Sequence, residues 1–443
     1  MMMMMSISCA QRLRAFRVGR RTQLYAPSSH IRKLLPLVLA LSSQQAFAFA
    51  STMATPNQAC PYEAPAWARD HLMKTPENGR LKLGNFPTPL YKMNPFSGNH
   101  DLNFFVKRDD MTGGPELGGN KIRKLEFLLA DALAQNCDSV VTIGGEQSNH
   151  CRATAAAARM VCLHPHLILR TKREEELSTF GYTGNILMDR MVGSTIYTCT
   201  PGEYGRLGSA ELVSRVCAHI ESDARTKSNK PYPIPVGGSN GLGTWGYIEG
   251  VHELLQQWDS SVGSLDHVVF ACGSGGTAAG IALGMALAYA DSKAMPVVHA
   301  MGVCDSPEIF YNDVAIIADK MGFTHPTMDA KEFVRQHLVA HQAKGLGYAV
   351  STQEELDFVA KFACETGMVL DPVYSGKALY HFLKEVVPKD PGEYQGKNVL
   401  FWHTGGALGL YDKGDDLLDT LNQISPVKRL DVYGKGGGGT VAI

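Results

Sequence analysis

The stretch His267-Val-Val-Phe-Ala-Cys-Gly-Ser-Gly-Gly-Thr-Ala278 decides the fold. Its first five residues are an apolar run of strand length, and the alanine-rich residues from Ala278 to Ala290 are long enough for a helix. A strand that enters a helix through a loop of small residues is the repeating step of an α/β sheet. The step recurs on both sides. Phe104–Val106, Ser139–Ile143, His166–Arg170 and Thr195–Thr198 read as strands, and Val297–Val303 and Val399–Trp402 continue the series. Between them, residues 120–135, Ala153–Val161, Gly184–Met191, Ser209–Arg225 and Thr244–Trp258 read as helices. Thr352-x-x-Glu355 is a capping box that opens one more, to Thr366. Strands alternating with crossover helices predict an α/β protein with parallel, doubly wound sheets covered on both faces.

Length and composition bound the rest. The 443 residues exceed one compact core of roughly 250–300 residues, which predicts two domains sharing a site. Ten cysteines without a C-x-x-C spacing exclude a zinc ribbon and argue against a disulfide scaffold. No G-K-[ST] follows the glycine loop, which excludes a P-loop.

The amino-terminal 62 residues differ from the remainder. They carry Arg12, Arg14, Arg17, Arg20, Arg21, Arg32 and Lys33, and the first acidic residue is Glu63. Arginine-rich, serine-containing and acid-free is the composition of an organelle transit peptide. The apolar run Leu34–Leu41 is too short to span a bilayer, which needs about 20 residues. The expectation is mitochondrial import, with a plastid route through a signal-plus-transit leader as the alternative. Setting those seven cations aside leaves 35 of the 42 basic residues against 43 acidic ones, so the body is acidic. Such a body has no electrostatic case for nucleic acid. At the other end, the glycine run within Lys435–Thr440 predicts a disordered tail over 426–443.

In parallel sheets, ligands bind beyond the C-terminal strand ends. Four loops there carry chemistry. In Gly118-Gly-Asn-Lys121-Ile-Arg-Lys124, three cations oppose the helix dipole, a poor helix start unless a negative ligand is present. Gln147-Ser148-Asn149-His150 precedes a helix; Ser148 and Asn149 suit an N-cap as well as an anion or phenolate, and His150 suits packing as well as catalysis. Cys272–Ala278 offers backbone N–H groups and hydroxyls as a phosphate cradle, and also a loose dinucleotide fingerprint. His403-Thr404-Gly-Gly and Asp371-Pro-Val-Tyr374-Ser375-Gly-Lys377 contribute hydroxyls.

One lysine, a phosphate cradle and neutral hydroxyls suit pyridoxal 5′-phosphate (PLP). Gly-Gly-Asn-Lys121-Ile-Arg-Lys-Leu-Glu, Gln147-Ser-Asn-His150, Gly-Ser-Gly-Gly-Thr277 and Asp-Pro-Val-Tyr374-Ser-Gly-Lys resemble the PLP family of D-cysteine desulfhydrase and 1-aminocyclopropane-1-carboxylate (ACC) deaminase. The likeness runs from Gly84 to Asp412. It implies the tryptophan-synthase-β-like fold, with PLP between a small domain, 124–235, and a large one, 63–123 with 236–425. By the same resemblance, Lys121 would hold the cofactor, Asn149 would contact its ring oxygen, and Ser274, Gly275, Gly276 and Thr277 would hold its phosphate. Ser148, with Lys124, Gln147 and His150 nearby, would receive an amino-acid substrate, and Tyr348 and Tyr374 would line that side. The resemblance also suggests a homodimer, and assigns no metal, nucleic acid or membrane.

The deaminase branch has Tyr-Glu where this chain has Tyr374-Ser375, and Leu where it has Thr404. Opening an unactivated ring needs a strong electron sink, which a carboxylate on the pyridine nitrogen provides. Hydroxyls at Ser375 and Thr404 leave the sink weaker, which suits expulsion of a thiolate. The expectation is therefore β-elimination from D-cysteine to pyruvate, ammonia and hydrogen sulfide, with ACC deamination as the alternative. An NAD-dependent dehydrogenase or a silent PLP-binding protein explains fewer of these residues.

Overall fold

The computed structural model describes residues 55–172, 181–223, 229–290, 292, 294–431 and 440–442. Two sheets form the frame. One contains β1 (Leu90–Lys92), β2 (Asn103–Arg108), β7 (His267–Cys272), β8 (Val297–Gly302), β9 (Val339–Gln342) and β10 (Asn398–His403), in the order β1-β2-β10-β7-β8-β9. The other contains β3 (Ser139–Gly145), β4 (His164–Arg170), β5 (Thr195–Cys199) and β6 (Pro231–Pro233), in the order β5-β4-β3-β6. Every pairing in the smaller sheet is parallel. In the larger one the edge strand β1 departs from the all-parallel expectation by running antiparallel to β2. Prolines in β6 are tolerated because it, too, is an edge.

Helices cover the larger sheet on both faces. Gly241–Gln257, Gly276–Ala288, Pro307–Lys320 and Ala330–His337 bury apolar residues against one face, in a cluster holding Trp245, Ile281 and Phe310. Gln353–Thr366 and Ser375–His381 bury Phe362 and Leu379 against the other, with Val106, Val269 and Phe401. Continuous apolar strands such as His267–Cys272, buried throughout, follow from this double cover.

Three boundaries differ from the sequence reading. The helix expected at Ala153 begins at Asn149, which places Ser148 as its N-cap. The helix expected at Ser209 begins at Pro201, and Gly208 (φ 78°) bends it where the sequence reading started it. The missed first segment is opened by a Thr200/Glu203 capping box, a signal present in the sequence. The end of the expected leader is part of the folded body: Cys60 bridges Arg80, and the Tyr62 ring packs 4.9 Å from that of Phe127. Residues 1–54 of that leader lie outside the described residues, as do 432–439 of the tail. The tail is not structureless throughout, since β11 (Arg429–Asp431) and β12 (Thr440–Ala442) form a parallel ladder of three residue pairs. Among the described residues, no helix is long and apolar enough to cross a membrane.

Candidate active site

A cavity of about 660 Å³ opens where C-terminal strand ends from both sheets converge. Gly144 and Gly145 of β3, Arg170 of β4, Cys272 of β7 and the loops after β8 and β10 line it. Of the expected site residues, Lys121, Ser148, Asn149, His150, Ser274, Gly275, Thr277, Tyr348, Tyr374 and Thr404 stand on its wall. Lys124, Gln147, Gly276 and Ser375 do not.

Lys121 is the first residue of the Lys121–Ala134 helix. Burial pushes its amine down to about 8, so about a tenth is neutral at pH 7, far more than for an ordinary lysine. The expectation that Lys121, Arg123 and Lys124 together await an anion is corrected at Arg123. Its guanidinium is buried and paired with Asp109 (2.8 Å) and Glu253 (3.0 Å), in a network that also takes in Lys107 and Thr88. That network anchors the helix start from behind, so Arg123 needs no ligand. Lys124 points elsewhere again: its Nζ donates to the Gly237 carbonyl (3.1 Å) and to Ser239 Oγ (3.2 Å). Burial, and then the charge of Lys121, push its amine well below the usual range. A nearby anion would restore the charge.

The anion seat adjoins it. Ser274 and Gly275 precede the Gly276–Ala288 helix, whose first N–H groups and dipole favour negative charge. Ser239 Oγ meets Ser274 Oγ at 2.7 Å and accepts from Gly276 N at 3.2 Å. Gly237, at φ 68°, admits this approach, because a Cβ there would lie 2.0 Å from Ser274 Oγ. Asn120 ties the seat to the opposite loop: its Nδ2 donates to Thr277 Oγ1 (3.1 Å) and its backbone N to the Thr404 carbonyl (3.0 Å). Cys272 also faces the cavity, and burial pushes its thiol up to about 12, away from thiolate chemistry.

Across the cavity, Ser148 acts as N-cap and wall together, with its Oγ accepting from Cys151 N (3.2 Å). Asn149 lines the cavity with a buried Oδ1 that has no hydrogen-bond partner among the described residues. His150 is packed as well as facing the cavity: its Nε2 lies 2.8 Å from Thr142 Oγ1, which donates to the Ile234 carbonyl. Burial and the charges of Lys121 and Lys124 hold its pKa well below the usual value, so it is a neutral imidazole. Gln147 turns away, accepting from Asn185 N (2.9 Å) and donating to the Thr183 carbonyl (3.2 Å). Glu146 accepts from the Thr171 hydroxyl and is absent from the wall.

The third wall carries two phenols. Tyr348 Oη and Tyr374 Oη meet at 2.6 Å. Burial raises both, and the Tyr348 neighbour raises Tyr374 further. One short turn sets both. Asp371 accepts from the backbone N of Val373, Tyr374 and Ser375 and from Ser375 Oγ (2.6 Å). Ser375 Oγ is thereby committed to Asp371 rather than to the cavity, while Thr404 keeps its place on the wall. Gly406, at φ 115°, lets this corner close, since a Cβ would lie 2.8 Å from Asn149 Nδ2. Two residues after Ser375, Lys377 Nζ donates to the carbonyls of Lys344 (2.8 Å) and Val350 (2.7 Å), strapping the loop that bears Tyr348. Glu355 pairs with that ammonium at 3.2 Å and with His381 at 3.0 Å.

Sequence reading missed Arg170 and Tyr204 on this wall. Arg170 ends a recognised strand, but the cavity it lines is built from segments far apart in sequence, which leaves no local signal. Tyr204 lies in the helical segment whose capping box went unread.

Two largely parallel sheets with a buried amine, an anion seat and a buried amide oxygen left unpaired at their shared C-terminal ends define an enzyme that holds a phosphorylated carbonyl cofactor. Lys121 supplies the amine, Ser274–Thr277 with Lys124 the seat, and Asn149 Oδ1 the orphaned polar atom, so the residues fit PLP. The chain belongs to the family described as "Pyridoxal-phosphate dependent enzyme", which matches residues 81–405. It is 45% identical over 374 residues to the "Bifunctional D-cysteine desulfhydrase/1-aminocyclopropane-1-carboxylate deaminase, mitochondrial" of Arabidopsis thaliana, covering 84% of this chain and 88% of the relative. A crystal structure of an "ACC deaminase homologue" superposes with a TM-score of 0.64 at 31% identity, over 81% of this chain and all of the other. The processed threonine deaminase isoform 2 of Solanum lycopersicum shares the fold at TM-score 0.51 and 14% identity, over 84% of this chain and 94% of its own.

Proposed function

We propose that the chain is a carbon–sulfur lyase that converts D-cysteine to pyruvate, ammonia and hydrogen sulfide. The observation that carries this reading is the Thr404 hydroxyl on the cavity wall, with the neighbouring carboxylate, Asp371, saturated by its own turn. When bound, PLP supplies a conjugated sink for the electron pair left at Cα. A carboxylate on the ring nitrogen would strengthen that sink; Thr404, the residue we assign to it, cannot. Expulsion of a thiolate tolerates the weaker sink because the sulfur itself departs with the electrons.

The chain's own groups then divide the work. Lys124, Ser274, Gly275, Gly276 and Thr277 hold the phosphate, and Asn149 the ring oxygen. This assignment moves Lys124 from the substrate to the phosphate, following its contacts with Gly237 and Ser239. Ser148, at its helix N-terminus, faces the substrate carboxylate. Lys121 Nζ removes the α-proton, because its amine titrates near 8 whereas burial raises both phenols. The Tyr348/Tyr374 pair keeps a proton beside the departing sulfur. The Cβ–S bond breaks, the electron pair leaves with sulfide, and the enamine product hydrolyses to pyruvate and ammonia.

Incubation of the purified holoenzyme with D-cysteine should yield sulfide and pyruvate in equal amounts. Ammonia and 2-oxobutyrate from ACC, with no sulfide from D-cysteine, would overturn the assignment. Deamination of ACC is the second reading, favoured by the double name of the Arabidopsis relative. The basic, acid-free leader and the word "mitochondrial" in that name support import into mitochondria. A fluorescent protein fused behind residues 1–62 should reach them, and plastid fluorescence would select the alternative. The family likeness supports a homodimer, with 124–235 as the small domain of each copy; light scattering of the eluted holoenzyme reads the mass directly.

A further inference from the structure

The proposed lyase needs a positive charge in the substrate half of the cavity, and Lys124, which the sequence offers for it, faces Gly237 and Ser239 instead. Among the described residues, three cations line the cavity: Lys121, Lys320 and Arg170. Lys121 is assigned to the cofactor. Lys320 ends the helix whose Asp313 and Ile317 face Gly275, on the phosphate side. Arg170 remains. It pairs in register with Gly145 across the β3–β4 ladder, three residues before Ser148 in the carboxylate-facing loop.

Its setting suits recognition. The guanidinium carbon lies 4.8 Å from the ring centroid of Tyr204 and 5.7 Å from that of Tyr348. Both distances fall within cation–π range, roughly 6 Å. Such contacts engage the flat faces of the guanidinium and leave its N–H edge free to grip a carboxylate with two parallel bonds. Each ring is itself held: Tyr204 by the helix start that Thr200 and Glu203 cap, Tyr348 by the loop that Lys377 straps. We propose that Arg170 is a specificity-determining residue of this site, gripping the α-carboxylate of the amino-acid substrate together with Ser148, with Tyr204 and Tyr348 aiming the guanidinium. The inference rests on the amino-acid lyase reading for the identity of the carboxylate.

Arg170→Met and Arg170→Gln in the holoenzyme test it, with Arg170→Lys as the conservative variant. Two ligand pairs differ only by the carboxylate, D-cysteine against cysteamine and D-alanine against ethylamine. Binding is read from the shift in cofactor absorbance and turnover from sulfide. The expected result is a ~10- to 100-fold rise in KM for D-cysteine with little change in kcat. D-Alanine should weaken alike, cysteamine and ethylamine should not, and Lys should recover part of the loss. Equal weakening of ligands with and without the carboxylate would overturn the proposal. So would a fall in kcat at unchanged KM with a shifted alkaline limb, which would mean that Arg170 acts through Tyr348. Should the parent protein release no sulfide from D-cysteine, the lyase reading fails. The D-alanine and ethylamine titrations would still decide the role of Arg170.

Discussion

At the scale of single residues, the amine of Lys121 titrates at about 8 because burial disfavours its charged form. Only the neutral amine attacks an aldehyde. Formation of the near-visible chromophore from apoprotein and PLP should therefore accelerate as pH rises through about 8 and level off above it. Lys121→Ala should abolish both the chromophore and its fixation by borohydride. A pH-independent rate would mean that the amine is not limiting. The sink argument makes a second prediction: replacing Ser375 by Glu and Thr404 by Leu together should move the ratio of products from sulfide toward 2-oxobutyrate. An unmoved ratio would remove the basis for preferring D-cysteine. The residue types were legible in the sequence, and their aims were not. Lys124, Gln147 and Ser375 sit in the right motifs, yet each side chain is committed to a partner more than two residues distant: Gly237, Asn185 and Asp371. Those partners are fixed only when segments far apart in sequence, or the two sides of a turn, meet.

At the scale of elements, the turn Asp371–Lys377 organises both phenols, one through its own backbone and the other through a strap. Lys377 has a fully buried ammonium held by loop carbonyls and by Glu355. Lys377→Met should free the Lys344–Val350 loop and leave Glu355 buried with only neutral or titratable partners, the Thr352 backbone N and His381. Removing one member of a buried pair typically costs about 3–5 kcal/mol. Misplacement of Tyr348 by an ångström should lower kcat by ~100-fold. Thermal melting and sulfide release measure the two effects separately, and a variant unchanged in both would leave the strap without function. Helix existence was readable from periodicity, as Lys121–Ala134 shows against an expected 120–135. Helix starts were less so. Asn149 and Pro201 both begin polar or glycine-containing first turns that periodicity discounts, although Ser148 and the Thr200/Glu203 box mark them chemically.

At the scale of the whole molecule, buried histidines set the acid limit. His267, His299 and His341 form a ladder across β7, β8 and β9, with ring nitrogens 3.1 and 2.9 Å apart. Burial lowers all three; His341 falls to about 4, and the rings on either side push His299 down further. A histidine with a depressed native pKa stays neutral in the fold, while the unfolded chain takes its proton below about 6.5. The unfolded state then binds more protons, so stability present above 6.5 is lost as pH falls toward the folded values. The slope is about 1.4 kcal/mol per pH unit for each such ring. Buried Glu126 and Asp189 act with the opposite sign, because burial raises their carboxyls to about 7 and about 8 and the fold holds their protons longer. His150 and His166, also depressed, join the ladder in outnumbering them. The melting temperature should therefore fall between pH 7 and pH 5. His299→Leu, which deletes the central proton acceptor, should narrow that gap whatever it does to stability at pH 7. A gap of unchanged width would place the acid sensitivity outside the ladder, in the other buried histidines with depressed values, His150 and His166.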